Sequence, residues 1–419
     1  MSAPIAARTM ALPDVAAARL LALLADAVPE VAPSIALAVH VRGEPVIELA
    51  AGWSDPDERQ RAADPDLRFD LASVTKLVTA SLVLRLVSPG DVRLDDPLVR
   101  HLPWFGEPSP RPVDGGQEPF TRVMLPTPPG RRWWLVDPAT VTIRQLLTHT
   151  SGLAPWRTLF QVTGPTPPEP PAPDPVGIAE RWAAAEAAIR TYPFVDRPGA
   201  TIRYSDLGFI LLGMLAVRLE GRPLDVLVGE HVAGPLGLAG LTFRPLDSGV
   251  PRTAIAPTSH DGLWRGRRSW GEVEDENATG LGGVAGHAGL FARATDIAAF
   301  GQAWLAADSR LGIDAATHAA AVAQQAADGA DRRGLGWQLA SVARDGGAVD
   351  STQRGPFAAL GPRAFGHTGF TGTSLVIDPD RSLVIACLTN RVWAGRGNEA
   401  IRVFLPRLGR LLAEVVPQG

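Results

Sequence analysis

The chain reads as an α+β protein, an antiparallel sheet flanked by helices, assembled from both ends of the sequence with a mostly helical lobe inserted between them. Two patterns carry this reading. Near the start, Ser34-Ile-Ala-Leu-Ala-Val-His-Val and Pro45-Val-Ile-Glu-Leu-Ala-Ala flank the turn Arg42-Gly43-Glu44, the pattern of a hairpin. Near the end, short β-rich runs recur at Gly336–Leu339, Thr373–Asp378 and Ser382–Thr389. A single domain over residues 12–415 is expected, with a sheet lobe at about 12–90 and 285–415 and the insertion at about 91–284.

The elements follow in order. Leu20, Leu21, Leu24 and Val28 suit one face of a packed N-terminal helix. Asp14, Arg19 and Asp26 interrupt that stretch, which argues against a targeting segment, and no apolar run approaches membrane-spanning length. Arg68-Phe-Asp-Leu-Ala72 leads into a helical pattern through Leu86 that Pro89-Gly90 breaks. The middle is rich in Pro, Gly and Trp, and Gly164 to Pro175 reads as an extended polyproline loop, either a passive insertion or a lid. Helices are expected at Val176–Arg190 and Ser205–Leu219, and Asn398–Leu412 closes the chain as another. No internal repeat is visible.

Composition narrows the function. Hydrophobic residues make up 46% and charged residues 20%, so the chain suits a soluble globular protein with a sizeable core. A formal net charge of -4 gives no basic field for nucleic acid, and no membrane partner is expected. The one cysteine, Cys387, excludes an internal disulfide and reads as filler in a buried strand; a cytoplasmic location is the expectation.

The chemistry centres on one residue. Of forty Lys plus Arg residues a single one is lysine, Lys76, three positions after Ser73 in Ser73-Val-Thr-Lys76. Arginine supplies a fixed charge; only lysine supplies an amine that can lose its proton when buried. A spacing of three on a helix puts serine and amine on one face, the arrangement of a nucleophile beside its activating base. Tyr204-Ser205-Asp206 adds one of the chain's two tyrosines, a phenol able to share the serine's proton or simply a half-buried aromatic. His367-Thr368-Gly369 is expected just before a strand, where the glycine lets backbone approach a ligand. Leu146-Leu-Thr-His-Thr-Ser-Gly-Leu153 reads as mostly structural, its hydroxyls and histidine satisfying backbone groups.

These motifs, in this order, resemble the serine β-lactamase and DD-peptidase superfamily, in its class C-like branch with the family VIII esterases and related transacylases. Gly282-Gly-Val-Ala-Gly-His-Ala-Gly-Leu-Phe291 and Phe370-Thr-Gly-Thr-Ser374 strengthen the likeness. The resemblance implies Ser73 as acylated nucleophile, Lys76 as its activating amine, and Tyr204 as proton shuttle. It implies His367 at the position where β-lactamases usually carry lysine, steering the tyrosine and touching substrate. The amides of Ser73 and Phe370 would form an oxyanion hole, with Asp206, Thr368 and Gly369 around the substrate. Neither metal nor cofactor is implied.

Two departures matter. Histidine at 367 removes a permanent positive charge, and Asp206 replaces the asparagine commonly found there. Both disfavour β-lactam and anionic peptide substrates and favour neutral esters or amides. The alternative role for Asp206 is to accept a hydrogen bond from Lys76, which would raise the lysine's pKa and make Tyr204 the more important base. Glu272-Val-Glu-Asp-Glu-Asn277 reads as a solvated acidic loop rather than a metal site. In relatives, histidine stands at the Glu274 position. Trp133, Trp134 and Trp156 wall an acyl pocket or belong to the lobe's core. The expected function is a serine hydrolase that cleaves a small-molecule ester or amide through a Ser73 acyl-enzyme. The alternative is a transacylase passing the acyl group to an amine or alcohol in an antibiotic-type biosynthetic pathway. The same residues activate either acceptor, and a non-catalytic relative would be expected to have lost one of them.

Overall fold

A computed structural model describes residues 3–341, 357 and 359–416. Part of the expected sheet lobe, residues 342–356, lies outside them. The principal sheet takes strands from both ends of the chain. They are β1 (Ile5–Met10), β2 (Ser34–Val41), β3 (Glu44–Gly52), β4 (Ala326–Asp328), β5 (Asp331–Arg333), β6 (Gln338–Leu339), β7 (Phe365–Thr368), β8 (Ser374–Asp378) and β9 (Leu383–Thr389). Their order across the sheet is β1-β3-β2-β9-β8-β7-β6-β5-β4, antiparallel throughout. The hairpin expected at 34–51 is β2–β3, paired Val39 to Ile47 and Leu37 to Leu49.

Strand alternation builds two cores on one sheet. Ile35, Leu37, Val39, Ile385 and Cys387 face outward under α1 (Asp14–Ala27) and the C-terminal helix Ile401–Val415. Ala36, Ala38, Ile377, Val384 and Ala386 face inward toward the helix Ala294–Leu305 and the inserted lobe. Gly301 permits that inner helix to lie close, because a Cβ there would come within 2.7 Å of Leu375 and Val384. Both faces are covered, so strands such as Leu383–Thr389 read as unbroken apolar runs rather than alternating ones.

Three details depart from the sequence reading. Strand β1 was not expected; its sequence Ile-Ala-Ala-Arg-Thr-Met lacks alternation, and its pairing with β3 shifts register between Ala7 and Thr9. In α1 the buried face includes Leu20, Leu23 and Leu24, while Leu21 lies at its border. The stretch 91–176 of the insertion is largely turns and single 3₁₀ turns, with one five-residue helix, Ile143–Leu147. On either side of it in sequence, α2 (Thr75–Val87) and α3 (Asp206–Glu220) pack on each other as buried helices. No helix among the described residues is long and apolar enough to cross a membrane.

Candidate active site

The position of Ser73 follows from a short local frame. The two-residue strand Phe69–Asp70 pairs with Leu290–Ala292, and Asp70 Oδ1 accepts from the Ala72 amide at 2.8 Å. Ala72 takes φ 45°, a costly left-handed conformation for a residue with a Cβ, and turns the chain sharply into α2. Ser73 therefore stands at the mouth of a helix N-terminus, with Lys76 one turn further along the same side. The Lys76 side chain is fully enclosed. Its Nζ lies 2.9 Å from Ser73 Oγ, 3.0 Å from the His287 carbonyl and 2.8 Å from Asp206 Oδ1. The Asp206 contact is an ion pair rather than an aligned hydrogen bond. Burial works against the ammonium, but Asp206 and Tyr204 outweigh it and hold the Lys76 pKa above its ordinary value. Once one proton leaves, the amine has two N–H groups for the carbonyl and carboxylate and a lone pair for the serine hydroxyl.

Tyr204 is set by the start of α3. Ser205 caps that helix, accepting from the Gly208 amide at 3.2 Å while donating to the Ala154 carbonyl at 2.8 Å. The Ser205 amide donates to His149 Nδ1 at 3.0 Å, and the His149 ring lies 4.4 Å from the Tyr204 ring. The Leu146–Leu153 segment is thus structural, as expected, but what it supports is the tyrosine itself. The Lys76 ammonium sits 5.0 Å from the phenol ring's centre. Burial raises the Tyr204 pKa, with Lys76 pulling the other way, so the phenol is protonated at neutral pH.

His367 lies within strand β7, not ahead of a strand as the sequence suggested, because Phe365–Thr368 pairs with Ser374–Ile377 of β8. Phe365 belongs to the inner core, and His367, two residues on, faces the same side. His367 Nδ1 is 2.7 Å from the Thr368 carbonyl. A carbonyl only accepts, so Nδ1 carries the proton and Nε2, buried without a protein partner, presents a lone pair. Burial, with help from Lys76 and Arg333, pushes the His367 pKa down to about 3. The ring is neutral at physiological pH.

The following turn is tied to the nucleophile's frame. Thr371 Oγ1 donates to the Asp70 carbonyl at 2.7 Å and Thr373 Oγ1 to the Leu71 carbonyl at 2.8 Å. Gly369 is required here, since a Cβ would meet Thr373 Oγ1 at 2.1 Å and the Leu71 carbonyl at 2.5 Å. This brings Thr368, Gly369 and Phe370 to the same cleft as Ser73, Tyr204, Asp206 and His367. The cleft has a volume of about 680 Å³. The catalytic, oxyanion and substrate-binding candidates named from the sequence all line this cleft, with Lys76 beneath them.

Other expectations are corrected. Glu272, Glu274 and Glu276 are buried, not solvated. Glu274 pairs with Arg396 at 3.1 Å and accepts from Ser259 Oγ at 2.5 Å, while Glu276 pairs with Arg396 at 2.7 Å and Arg122 at 3.4 Å. Arginines far away in sequence made this invisible to local reading. Among the described residues no group of His, Cys, Asp or Glu is arranged to hold a metal. Of the three tryptophans, Trp156 lines the cleft; Trp133 is exposed and Trp134 stacks under Arg197 at 4.1 Å. The proline-rich loop lines a separate cavity, pinned by Arg267 to the Pro167 carbonyl at 3.1 Å and by Arg252 to Glu169 at 2.6 Å, so it is not a lid over Ser73.

Sequence reading missed one pair at the site. Asp275 caps the helix Glu276–Gly280 and binds His287 Nε2 at 2.8 Å, and His287 is the residue whose carbonyl holds Lys76. Although burial opposes its charge, His287 and the Ala278 amide hold the Asp275 carboxyl well below the usual range. The signal was present as a histidine inside a glycine-rich loop, but its partner is twelve residues away.

The chain resembles known proteins over most of its length. The Beta-lactamase family model matches residues 22–403. A putative D-alanyl-D-alanine carboxypeptidase of Escherichia coli (strain K12) is 32% identical over 342 residues, which cover 77% of this chain and 69% of that protein. Among solved structures, EstCE1, a hydrolase with promiscuous acyltransferase activity, superposes with a TM-score of 0.65 at 19% identity, covering 93% of this chain and 98% of its own. The simvastatin synthase LovD of Aspergillus terreus superposes at 0.68 and 19% identity, covering 96% and 99%. At those identities the two structures speak for the fold alone.

Proposed function

We infer the reaction from one premise: the chain belongs to the Beta-lactamase family, whose members are serine hydrolases or acyltransferases. We propose that Ser73 attacks the carbonyl of a small-molecule ester or amide and that Lys76, once deprotonated, takes the hydroxyl proton. Tyr204, protonated, passes a proton to the departing alcohol or amine. The acyl-enzyme is then discharged by an acceptor whose proton returns by the same route. The amides of Ser73 and Phe370 receive the oxyanion, each contributing on the order of 3 kcal/mol in a well-arranged site. The observation that carries this reading is the enclosed lysine 2.9 Å from the serine hydroxyl, in a chain with no other lysine.

Neutral His367 supplies no charge for a substrate carboxylate, which supports neutral esters and amides as substrates. Transacylation is the second reading. A cleft of about 680 Å³ has room for an organic acceptor beside the acyl group, an amine or alcohol from antibiotic assembly among them. A cytoplasmic setting is part of the same proposal. Intact-protein mass after brief exposure to a p-nitrophenyl ester tests it, with Ser73→Ala and Lys76→Arg as controls. A transient adduct that both variants lack supports the assignment. Lys76→Arg keeps the charge but cannot give up its proton, so an adduct forming there at comparable speed overturns the base assignment. An adduct that persists in water and clears on adding an amine favours transacylation.

A further inference from the structure

The excursion between Arg111–Pro112 and Leu135–Val136, two short strands that pair with each other, carries a small flap whose tip reaches the cleft. Gln117 bridges Met124, the Glu118 amide donates to the Val123 carbonyl at 3.0 Å, and the Arg122 amide donates back to Glu118 at 2.8 Å. The flap is fastened on its polar side. Gln117 Oε1 accepts from the Thr158 amide at 3.0 Å, and Arg122 lies 5.0 Å over the Phe160 ring and 3.4 Å from Glu276. Its apolar side is left in water: Phe120, Val123, Met124 and Leu125 are 60%, 59%, 52% and 44% exposed. Four large apolar side chains exposed within six residues mark a contact surface rather than ordinary surface.

What they contact is set by where they begin. Pro119 and Phe120 line the cleft of Ser73, and the Phe120 ring lies 5.9 Å from that of Phe370 in the turn beside the nucleophile. Trp156 lines the same cleft, and so do the Glu274–Glu276 segment, Arg391 and Arg396, the two arginines lying 4.9 Å and 5.8 Å from the centre of the Phe370 ring. The cleft thus combines apolar surface from Pro119, Phe120 and Trp156 with charged groups around Phe370.

We propose that the flap is the acyl-group binding surface, and that the substrate is an ester or amide of an acyl group with an extended hydrocarbon portion. That portion leaves the cleft past Phe120, whose neighbours Val123 and Leu125 on the flap are the exposed apolar surface available beyond it. The proposal rests on the acyl-enzyme reading above and names its substrate class. Each methylene covered by such a surface is worth about a fourfold gain in kcat/KM.

The test is the ratio of kcat/KM for p-nitrophenyl octanoate to that for p-nitrophenyl acetate, in wild type and in Phe120→Ser/Val123→Ser/Leu125→Ser. Melting temperature serves as the fold control, and the single variant Val123→Ser is measured if the triple variant does not fold. The wild-type ratio should exceed unity and fall by about tenfold in the triple variant. An unchanged ratio overturns the proposal. So does recruitment of wild type but not the variant to phosphatidylcholine/phosphatidylglycerol vesicles with the ratio unaffected, or loss of a dimer with the ratio unaffected, since the patch then serves a membrane or a second copy. Failure of the acyl-enzyme reading is read separately, as acetate turnover and adduct formation that survive Ser73→Ala.

Discussion

Replacing Asp206 by asparagine removes the counter-charge of the buried Lys76 while leaving the side chain's shape. The carboxylate stands 2.8 Å from the ammonium. At an effective dielectric of about 20, such a pair attracts by roughly 6 kcal/mol before desolvation is counted. Removing one partner of an enclosed pair typically costs about 3–5 kcal/mol. The direction with pH follows from Lys76, whose folded pKa is raised. A raised pKa stabilises the fold fully below the ordinary lysine value, about 10.4, and that contribution is lost only as pH climbs through the folded value. At pH 7 the whole loss should be visible, about 3 kcal/mol in urea unfolding, unless the lysine escapes by giving up its proton. That escape has its own signature. With the carboxylate gone, Lys76 becomes a free amine at lower pH, so the acid limb of the kcat/KM profile for a p-nitrophenyl ester should move down. A variant with unchanged stability and an unmoved limb would refute the claim that Asp206 holds the lysine's proton.

Gly369→Ala should lower kcat by about 100-fold with folding intact, because a Cβ 2.5 Å from the Leu71 carbonyl must displace the turn carrying the Phe370 amide; stopped-flow acylation with circular dichroism as control checks it, and a loss under threefold would contradict it. His367 titrates at about 3 in the fold against an ordinary 6.5, so the unfolded chain binds the extra proton in between. Its contribution is complete above pH 6.5 and is lost as pH falls toward 3, with a ceiling of about 4–5 kcal/mol. Asp70, pushed up to about 7 chiefly by burial, acts oppositely over pH 4–7, so the measurement is the stability difference between wild type and His367→Asn, which should shrink steadily below pH 6.5. His367→Lys should improve carboxylate-bearing esters over neutral ones by about tenfold, the worth of one charge-assisted hydrogen bond; an unchanged ratio of kcat/KM would mean that charge at this position does not set selectivity.

What could be read in the sequence was what neighbours in the chain determine. Ser73 and Lys76 are three apart on one helix, and the strands β2, β3, β8 and β9 announce themselves by apolar runs between turns. The Tyr204 and His367 segments were legible as motifs, but their distances to Lys76 were not, since α3 and β7 reach it from distant parts of the chain. The acidic segment was misread for a definite reason. Consecutive carboxylates look solvated until Arg396, some 120 positions later, closes on Glu274 and Glu276. Strand β1 escaped because a break in its register with β3 between Ala7 and Thr9 interrupts the period-two alternation that would have marked it. The pairing of Asp275 with His287 escaped because neither residue has a local signature that names the other.

The two departures at the site belong together electrostatically. A lysine at 367 would stand beside Lys76 and push its proton off, whereas the neutral histidine does so only weakly. An asparagine at 206 would leave the Lys76 ammonium without a counter-charge, whereas the aspartate retains it. Both changes therefore drive Lys76 the same way, toward protonation in the resting enzyme. A nucleophile held ready in this form waits for the ammonium to lose its proton. Filling the cleft with an apolar acyl group provides the means: excluding water weakens an ion pair's solvation and favours its neutral form. Loss of an Nζ proton as the acyl group enters then frees the amine for Ser73. On this argument a poorly fitting, short acyl group should show a more alkaline acid limb than a long one, and equal limbs for acetate and octanoate esters would separate cleft drying from lysine activation.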